Sequence, residues 1–275
     1  MEAVLKSQPW PAEAVAEQFV KARLSASALP DFPGPIPPDL DAAYACQEAA
    51  IGLWPDEIAG WKIGRIPPEH EVKLGAKSLA GPVFRADVQR SVPGSLVEFG
   101  IFVGGFAAVE AEYVFEVGKD APPGKLTWTM NDALAIAGRL LVGFETAGSP
   151  LRTINVLGPK AVVSDFGNNA GLIIGPEVPK WRDRSLADLT CETFITGKSV
   201  GKGTAANVPN GPLGSLRFVA ELCAQRGRPL KAGMLISTGA ATGIHDIAVG
   251  EIARAEFHGV GAIQCAAKPR LARTI

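Results

Sequence analysis

AAVEAEYVFEV, residues 107–117, is the stretch whose reading decides the fold. As a strand it alternates: Val109, Ala111, Tyr113 and Phe115 face one way, and Ala108, Glu110, Glu112, Val114 and Glu116 the other. Glu110 and Glu112 are then neighbours on one face, with Cα atoms roughly 6.5 Å apart. Carboxylates that close repel unless water, a proton or a cation intervenes. An amphipathic strand with a wet acidic face is the commoner arrangement and the first expectation. Were the face buried, a hard divalent cation would be the natural counter-charge.

Upstream, GWKIGR (60–65) reads as a short strand with Lys62 between Trp61 and Ile63. An edge-strand lysine that blocks further pairing is the simpler account of Lys62, and an inward amine the alternative. AGPVFRADV (80–88) places Asp87 just after another short strand. Further upstream the chain is helical. PAEAVAEQFVKARL (11–24) has helical spacing with Pro11 in the first turn, LPDFPGPIPPDL is an extended linker, and Asp41 caps a second helix, DAAYACQEAAIGLW, through Trp54. The division expected is a helical region over 1–58 and a β-rich region over 59–275.

Downstream, a proline-rich loop leads to a helix capped by Thr129 or Asn131, and LLVGFETAG puts Glu145 at the end of an apolar strand. AVVSDFGNNAGLIIGP (161–176) reads as strand, polar turn, strand. Its Ser164, Asn168 and Asn169 are candidates for binding a substrate carboxylate. A hairpin over CETFITGKSVGKGTA, a helix closed by Gly227 and the turn STGAATG follow, with Thr238 and Gly239 as further candidate substrate contacts. The whole is α+β.

Composition bounds the function. With 47% hydrophobic and 20% charged residues the chain is globular, and a net charge of −1 offers no basic surface for nucleic acid. No apolar run is long enough to span a membrane, and residues 1–15 lack a secretory pattern, so a cytoplasmic protein is expected. The four cysteines, Cys46, Cys191, Cys223 and Cys265, show no zinc spacing and read as buried thiols. No nucleotide loop, G-x-S-x-G or H-E-x-x-H segment occurs.

The order GWKIG, VEAEYVFEV, GFE, VVSDFGNNAG, GPLGSL, LKAGMLISTGAATG and VGEIARAEFHGVG resembles the 2-keto-4-pentenoate hydratase family of the fumarylacetoacetate hydrolase superfamily. The resemblance covers about residues 40–265 and implies a mixed β-roll core with a helical N-terminal part. It implies Mg²⁺ or Mn²⁺ held by Glu110, Glu112 and Glu145, with Lys62 and Asp87 as catalytic residues. The implied reaction adds water to a 2-hydroxy-2,4-dienoate in aromatic-compound catabolism, in a homo-oligomer. Decarboxylation of a 2-oxo-3-enedioate and hydrolysis of an acylpyruvate are the neighbouring chemistries. The latter would need a His–Glu pair, of which Glu69–His70 is a fragment. A degenerate member that only binds metal or keto acid is the non-enzymatic alternative. A second substrate carboxylate would call for a further cation, with Arg85 and Arg65 as candidates.

Overall fold

The strand that opens the sequence argument, β5, is the middle of a mixed sheet in this computed structural model, which describes residues 10–273. The opening segment 1–9, on which part of the leader argument rests, lies outside the described residues. In chain order the elements are α1 (Ala12–Leu24), α2 (Leu40–Leu53), β1 (Ile58–Arg65), α3 (Pro68–Leu74), β2 (Ser78–Phe84), β3 (Val88–Arg90), β4 (Val97–Ile101) and β5 (Phe106–Val117). Then come α4 (Met130–Ile136), β6 (Ala137–Ser149), α5 (Pro159–Ser164), β7 (Asn169–Glu177), β8 (Thr190–Ile195) and β9 (Lys198–Thr204). The chain ends with α6 (Gly211–Gln225), β10 (Leu235–Ala240), β11 (His245–Asp246), β12 (Ile252–Phe257) and β13 (Gly261–Pro269).

The larger sheet runs β2-β1-β10-β5-β6-β7-β3, with β11 added beside β5; the smaller runs β4-β13-β12-β8-β9. Three pairings are parallel, β1 with β10, β3 with β7 and β4 with β13, and the rest antiparallel. Curled mixed sheets with helices packed on them make this the α+β β-roll that the sequence resembles.

The apolar face of β5 makes the core. Tyr113 packs edge-on against Phe257 of the smaller sheet, with ring centroids 5.5 Å apart, and Phe115 against Trp181 at 5.0 Å. Helices α1 and α2 pack on each other, α2 packs on α5, and their Val15, Phe19, Cys46 and Ala50 share the core with Trp61 and Phe115. Arg23 ties α1 to the sheet: its guanidinium pairs with Asp165 and donates to Asn169 O (2.9 Å) and Gly148 O (3.0 Å), all buried.

Several local expectations change. Asp39, not Asp41, caps α2 by accepting from Ala42 N at 2.8 Å, and Pro11 precedes α1 as its N-cap rather than entering its first turn. Thr129 caps α4 in a reciprocal box with Asp132, one of the two positions expected. The segment before the Asp–Asn turn is helix α5, not strand: Pro159 suits a first helical turn, and the run is too short for its β-branched valines to decide otherwise. The short α3 was not anticipated, and the final segment is a hairpin of two antiparallel strands.

Candidate metal centre and cavity

The acidic face of β5 is buried, contrary to the wet face expected. Relative exposure is 8% for Glu110 and 0% for Glu112 and Glu145. The register explains the clustering. Glu110 stands directly opposite Glu145 across the β5–β6 ladder, and Glu112 lies two residues along. Like charges directly opposite on adjacent strands destabilise a sheet. One oxygen from each of the three carboxylates lies within 4.8 Å of the others.

Each carboxylate on the inner side is fixed through one oxygen only. Glu112 Oε2 accepts from Ser237 Oγ at 2.6 Å and Gly239 N at 2.8 Å, whereas its Oε1 is buried with no partner. Glu145 Oε1 accepts from Asn169 Nδ2 at 3.1 Å and lies 3.3 Å from Lys62 Nζ, whereas its Oε2 is likewise buried and unpartnered. Buried carboxylate oxygens without donors are costly. Three clustered carboxylates, two of them with a bare buried oxygen, are the hard ligand set of Mg²⁺ or Mn²⁺, so the residues present fit such an ion.

Lys62 is an interior amine, because β1 lies between β2 and β10 and is not an edge. Its side chain is 4% exposed, and Nζ also donates to Asn168 Oδ1 at 3.1 Å. Burial opposes its charge, but Glu145, Glu110 and Glu112 outweigh burial and raise its pKa above the ordinary lysine value. Burial, then the charge of Glu145, pushes Glu110 up to about 7 against the pull of Lys62. Burial and the neighbouring carboxylates drive Glu112 well above the ordinary glutamate value, although Ser237 and Gly239 oppose the shift.

Asn168 and Asn169 both reach this centre, through a strained turn. Phe166, Gly167 and Asn168 all have positive φ, a conformation that glycine and asparagine tolerate best. A Cβ on Gly81 would lie 2.0 Å from Phe166 O, so β2 admits the turn only because Gly81 has none. The amides face protein groups: Asn169 holds Glu145, and Asn168 bridges Lys62 to Asn155, donating to Asn155 Oδ1 at 2.9 Å.

Other candidates are corrected. Asp87 is not brought to the carboxylates. It pairs with Arg270 (2.8 Å) and Arg273 and borders a separate cleft of about 290 Å³. The physical reason is its place on a turn before β3, the far edge of the sheet, where two C-terminal arginines neutralise it. Ser164 is wholly buried in α5, its hydroxyl returned to Lys160 O at 2.9 Å. Thr238 Oγ1 donates to Tyr113 O at 2.7 Å, so it serves the strand pairing, although the residue borders the cavity. Gly239 offers its N–H to Glu112. Ser237 and Asn155 were missed: Ser237 is 125 residues from its partner, so only the β10–β5 register reveals it.

The centre opens on a cavity of about 770 Å³ bordered by Lys62, Glu110, Asn155 and Asn168. Glu69 and His70 of α3 border it too, but as adjacent helical residues they do not face each other.

No protein-family profile matches the chain. It is 25% identical over 268 residues to a 4-oxalocrotonate decarboxylase of Pseudomonas sp, covering 90% of this chain and 95% of that one. It is 25% identical over 228 residues to 2-keto-4-pentenoate hydratase 2 of Dechloromonas aromatica, covering 81% and 84%. Its fold matches the solved 4-oxalocrotonate decarboxylase from Pseudomonas putida G7, complexed with magnesium and adipate, with a TM-score of 0.76 at 20% identity over 93% and 97% of the chains. These relatives are hydratases and decarboxylases, and the chain is an enzyme of their lyase-like class. The E-x-E strand, the buried lysine and these relatives at about 25% identity support a place for the chain beside the 2-keto-4-pentenoate hydratases and 4-oxalocrotonate decarboxylases.

Proposed function

We propose that the protein is a divalent-cation-dependent hydratase that adds water to a 2-hydroxy-2,4-dienoate, giving a 4-hydroxy-2-oxo acid in aromatic-compound catabolism. One observation carries the reading: three clustered buried carboxylates, two of them with a bare buried oxygen, beside a cavity of about 770 Å³ that Glu110 borders. Glu110, Glu112 and Glu145 would hold Mg²⁺ or Mn²⁺, which when bound supplies a Lewis acid for the 2-oxygen of a 2-oxo or 2-hydroxy acid. Lys62 keeps its charge beside that centre and is the group placed to attract the substrate carboxylate and to hold or move a proton at Nζ. Asn168 accepts from Lys62 and so aims the amine, while Asn169 and Ser237 each fix one carboxylate. Asp87, occupied by Arg270 and Arg273, carries no step in this reading. The same reading takes residues 1–58 as a helical flank of a 59–275 catalytic unit, in a cytoplasmic homo-oligomer. No helix among the described residues is long and apolar enough to cross a membrane.

Decarboxylation of a 2-oxo-3-enedioate is the second reading, favoured by the decarboxylase relative that matches nearly the full length. The purified protein with Mg²⁺ is incubated with 2-hydroxypenta-2,4-dienoate or its carboxylated analogue while conjugated absorbance and CO₂ are followed. Loss of absorbance without CO₂ supports hydration, and CO₂ release supports decarboxylation. Glu112→Gln is expected to fold and to lose cation-dependent turnover, and an undiminished rate after metal titration would reject the assignment.

A further inference from the structure

We propose that Arg270 is a positioning residue for the metal centre, holding in place the backbone bulge that aims the Asn169 amide at Glu145. This rests on the reading above, in which Glu145 is one of three ligands of a divalent cation. The sheet is irregular at this point. From Leu172 opposite Glu145 to Asn169 opposite Ala147, β7 covers three residue steps while β6 covers two. β7 therefore carries one extra residue, a bulge over Ala170 and Gly171. The pairing of β3 with β7 begins only at Leu172, so neither neighbouring strand has a register partner for these two residues. A bulge leaves a residue out of the ladder and re-aims a side chain. Here that side chain is Asn169, whose Nδ2 donates to Glu145 Oε1 at 3.1 Å and to Gly171 O at 3.2 Å. The direction of the amide thus depends on where the bulge puts Gly171 O.

The groups that hold the bulge come from the C-terminal segment. A carbonyl taken out of the ladder still needs a donor. Ala170 O finds one in Arg270 Nη1, at 3.2 Å. Arg270 Nη2 donates to Asp87 Oδ1 at 2.8 Å, and the guanidinium lies 5.0 Å from the centroid of Phe102. Asp87 itself packs against the bulge: a Cβ on Gly171 would lie 2.9 Å from Asp87 O and 2.8 Å from Thr146 Oγ1. Arg273 pairs with the same Asp87 oxygen, and its backbone N–H donates to Leu24 O at 2.8 Å, which fastens the segment to the end of α1. Arg270 borders the smaller cleft and not the cavity, so it acts on the centre only through Ala170, Gly171 and Asn169.

Charge and position predict opposite signs when Arg270 is neutralised. Loss of a nearby positive charge alone makes the carboxylates more attractive to a cation. Loss of the bulge's support loosens Asn169 on Glu145 Oε1 and weakens cation binding. Arg270→Met separates the two. Asp87 keeps Arg273 as its partner in that variant, so no aspartate is left without a cation.

The test uses the full-length protein stripped of metal and titrated with Mn²⁺, the free ion being read from its EPR signal. Arg270→Met is expected to weaken Mn²⁺ binding about tenfold, the lower end of the range for groups behind metal ligands. Arg270→Lys, which keeps the charge and one donor, should lose less. Asn169→Ala should lose at least as much as Arg270→Met, and combining the two should cost no more than about twofold beyond Asn169→Ala, because both act along one path. Unchanged or tighter Mn²⁺ binding in Arg270→Met, or losses that multiply in the double variant, would overturn the role of Arg270. If Arg270→Met lacks the native near-ultraviolet circular dichroism, the comparison is made with Arg270→Lys, and an affinity equal to that of the unaltered protein would overturn the role in the same way. Failure of the unaltered protein to bind Mn²⁺ would overturn the metal centre itself.

Discussion

Stripping the divalent cation should make stability fall as pH rises, and the size of the effect follows from Glu110. Its carboxyl moves from an ordinary 4.5 in the unfolded chain to about 7 in the folded one. Between those values the folded chain holds the proton and the unfolded chain has lost it. Stability then falls as pH rises, because the slope follows the protons bound by the unfolded state minus those bound by the folded state. The contribution is intact below about pH 4.5 and gone once pH passes about 7, a loss on the order of 3 kcal/mol. Glu112, also raised, acts in the same direction. Lys62 stays charged throughout the window, and His245, lowered by burial, works in the opposite direction. Exposed carboxylates held below their ordinary range, such as Asp132, act at lower pH. A bound cation keeps the folded carboxylates ionised and removes the fall. The assay is urea unfolding at pH 5 to 8.5 in EDTA and in Mg²⁺. The midpoint in EDTA should drop with pH, the Mg²⁺ stabilisation should grow with pH, and Glu110→Gln should flatten the EDTA curve. An EDTA curve that rises through this range would refute the buried, proton-holding acidic cluster.

Three further outcomes follow from single contacts. Lys62→Met should keep cation binding, read by calorimetry, yet lower kcat about 10²- to 10⁴-fold, as expected for a lost proton-transfer group. Arg23→Met leaves Asp165 buried without its cation and should cost about 3–5 kcal/mol in urea unfolding. All four cysteines are buried, with thiols pushed by desolvation up to about 12. A thiol reagent should therefore label none in the native protein and four after denaturation.

What could be read from the chain depended on the range of the forces involved. The β5 alternation, the Thr129 cap and the β8–β9 hairpin are set by neighbours in sequence, and each was legible. The burial of the acidic face was not, because it depends on β6 and β10 lying on either side of β5. Periodicity assigns residues to faces but not a face to water or core, and the commoner arrangement was the wrong one here. Lys62 failed as an edge lysine for the same reason: its strand gained a parallel partner far along the chain. The family resemblance placed the three glutamates together, and it also offered Asp87. The C-terminal arginines that occupy Asp87 lie 183 and 186 residues away, so no local pattern announces them.

The acidic cluster is best understood as a local rule broken at a functional site. A sheet that places Glu110 opposite Glu145, with Glu112 beside them, sets three carboxylates against one lysine. Nothing in packing demands this, since Val or Thr would suit a buried mid-strand position better. The surroundings then hold the charges in place rather than neutralise them. Ser237, Gly239 and Asn169 donate to one oxygen of an inner carboxylate each time, and the opposite oxygen is left bare. A purely structural network would gain by satisfying both oxygens. One satisfied and one bare oxygen on both inner carboxylates is instead what a preorganised ligand set requires. The hydrogen bonds fix orientation before the ion arrives, and the repulsion they sustain is relieved only when it does.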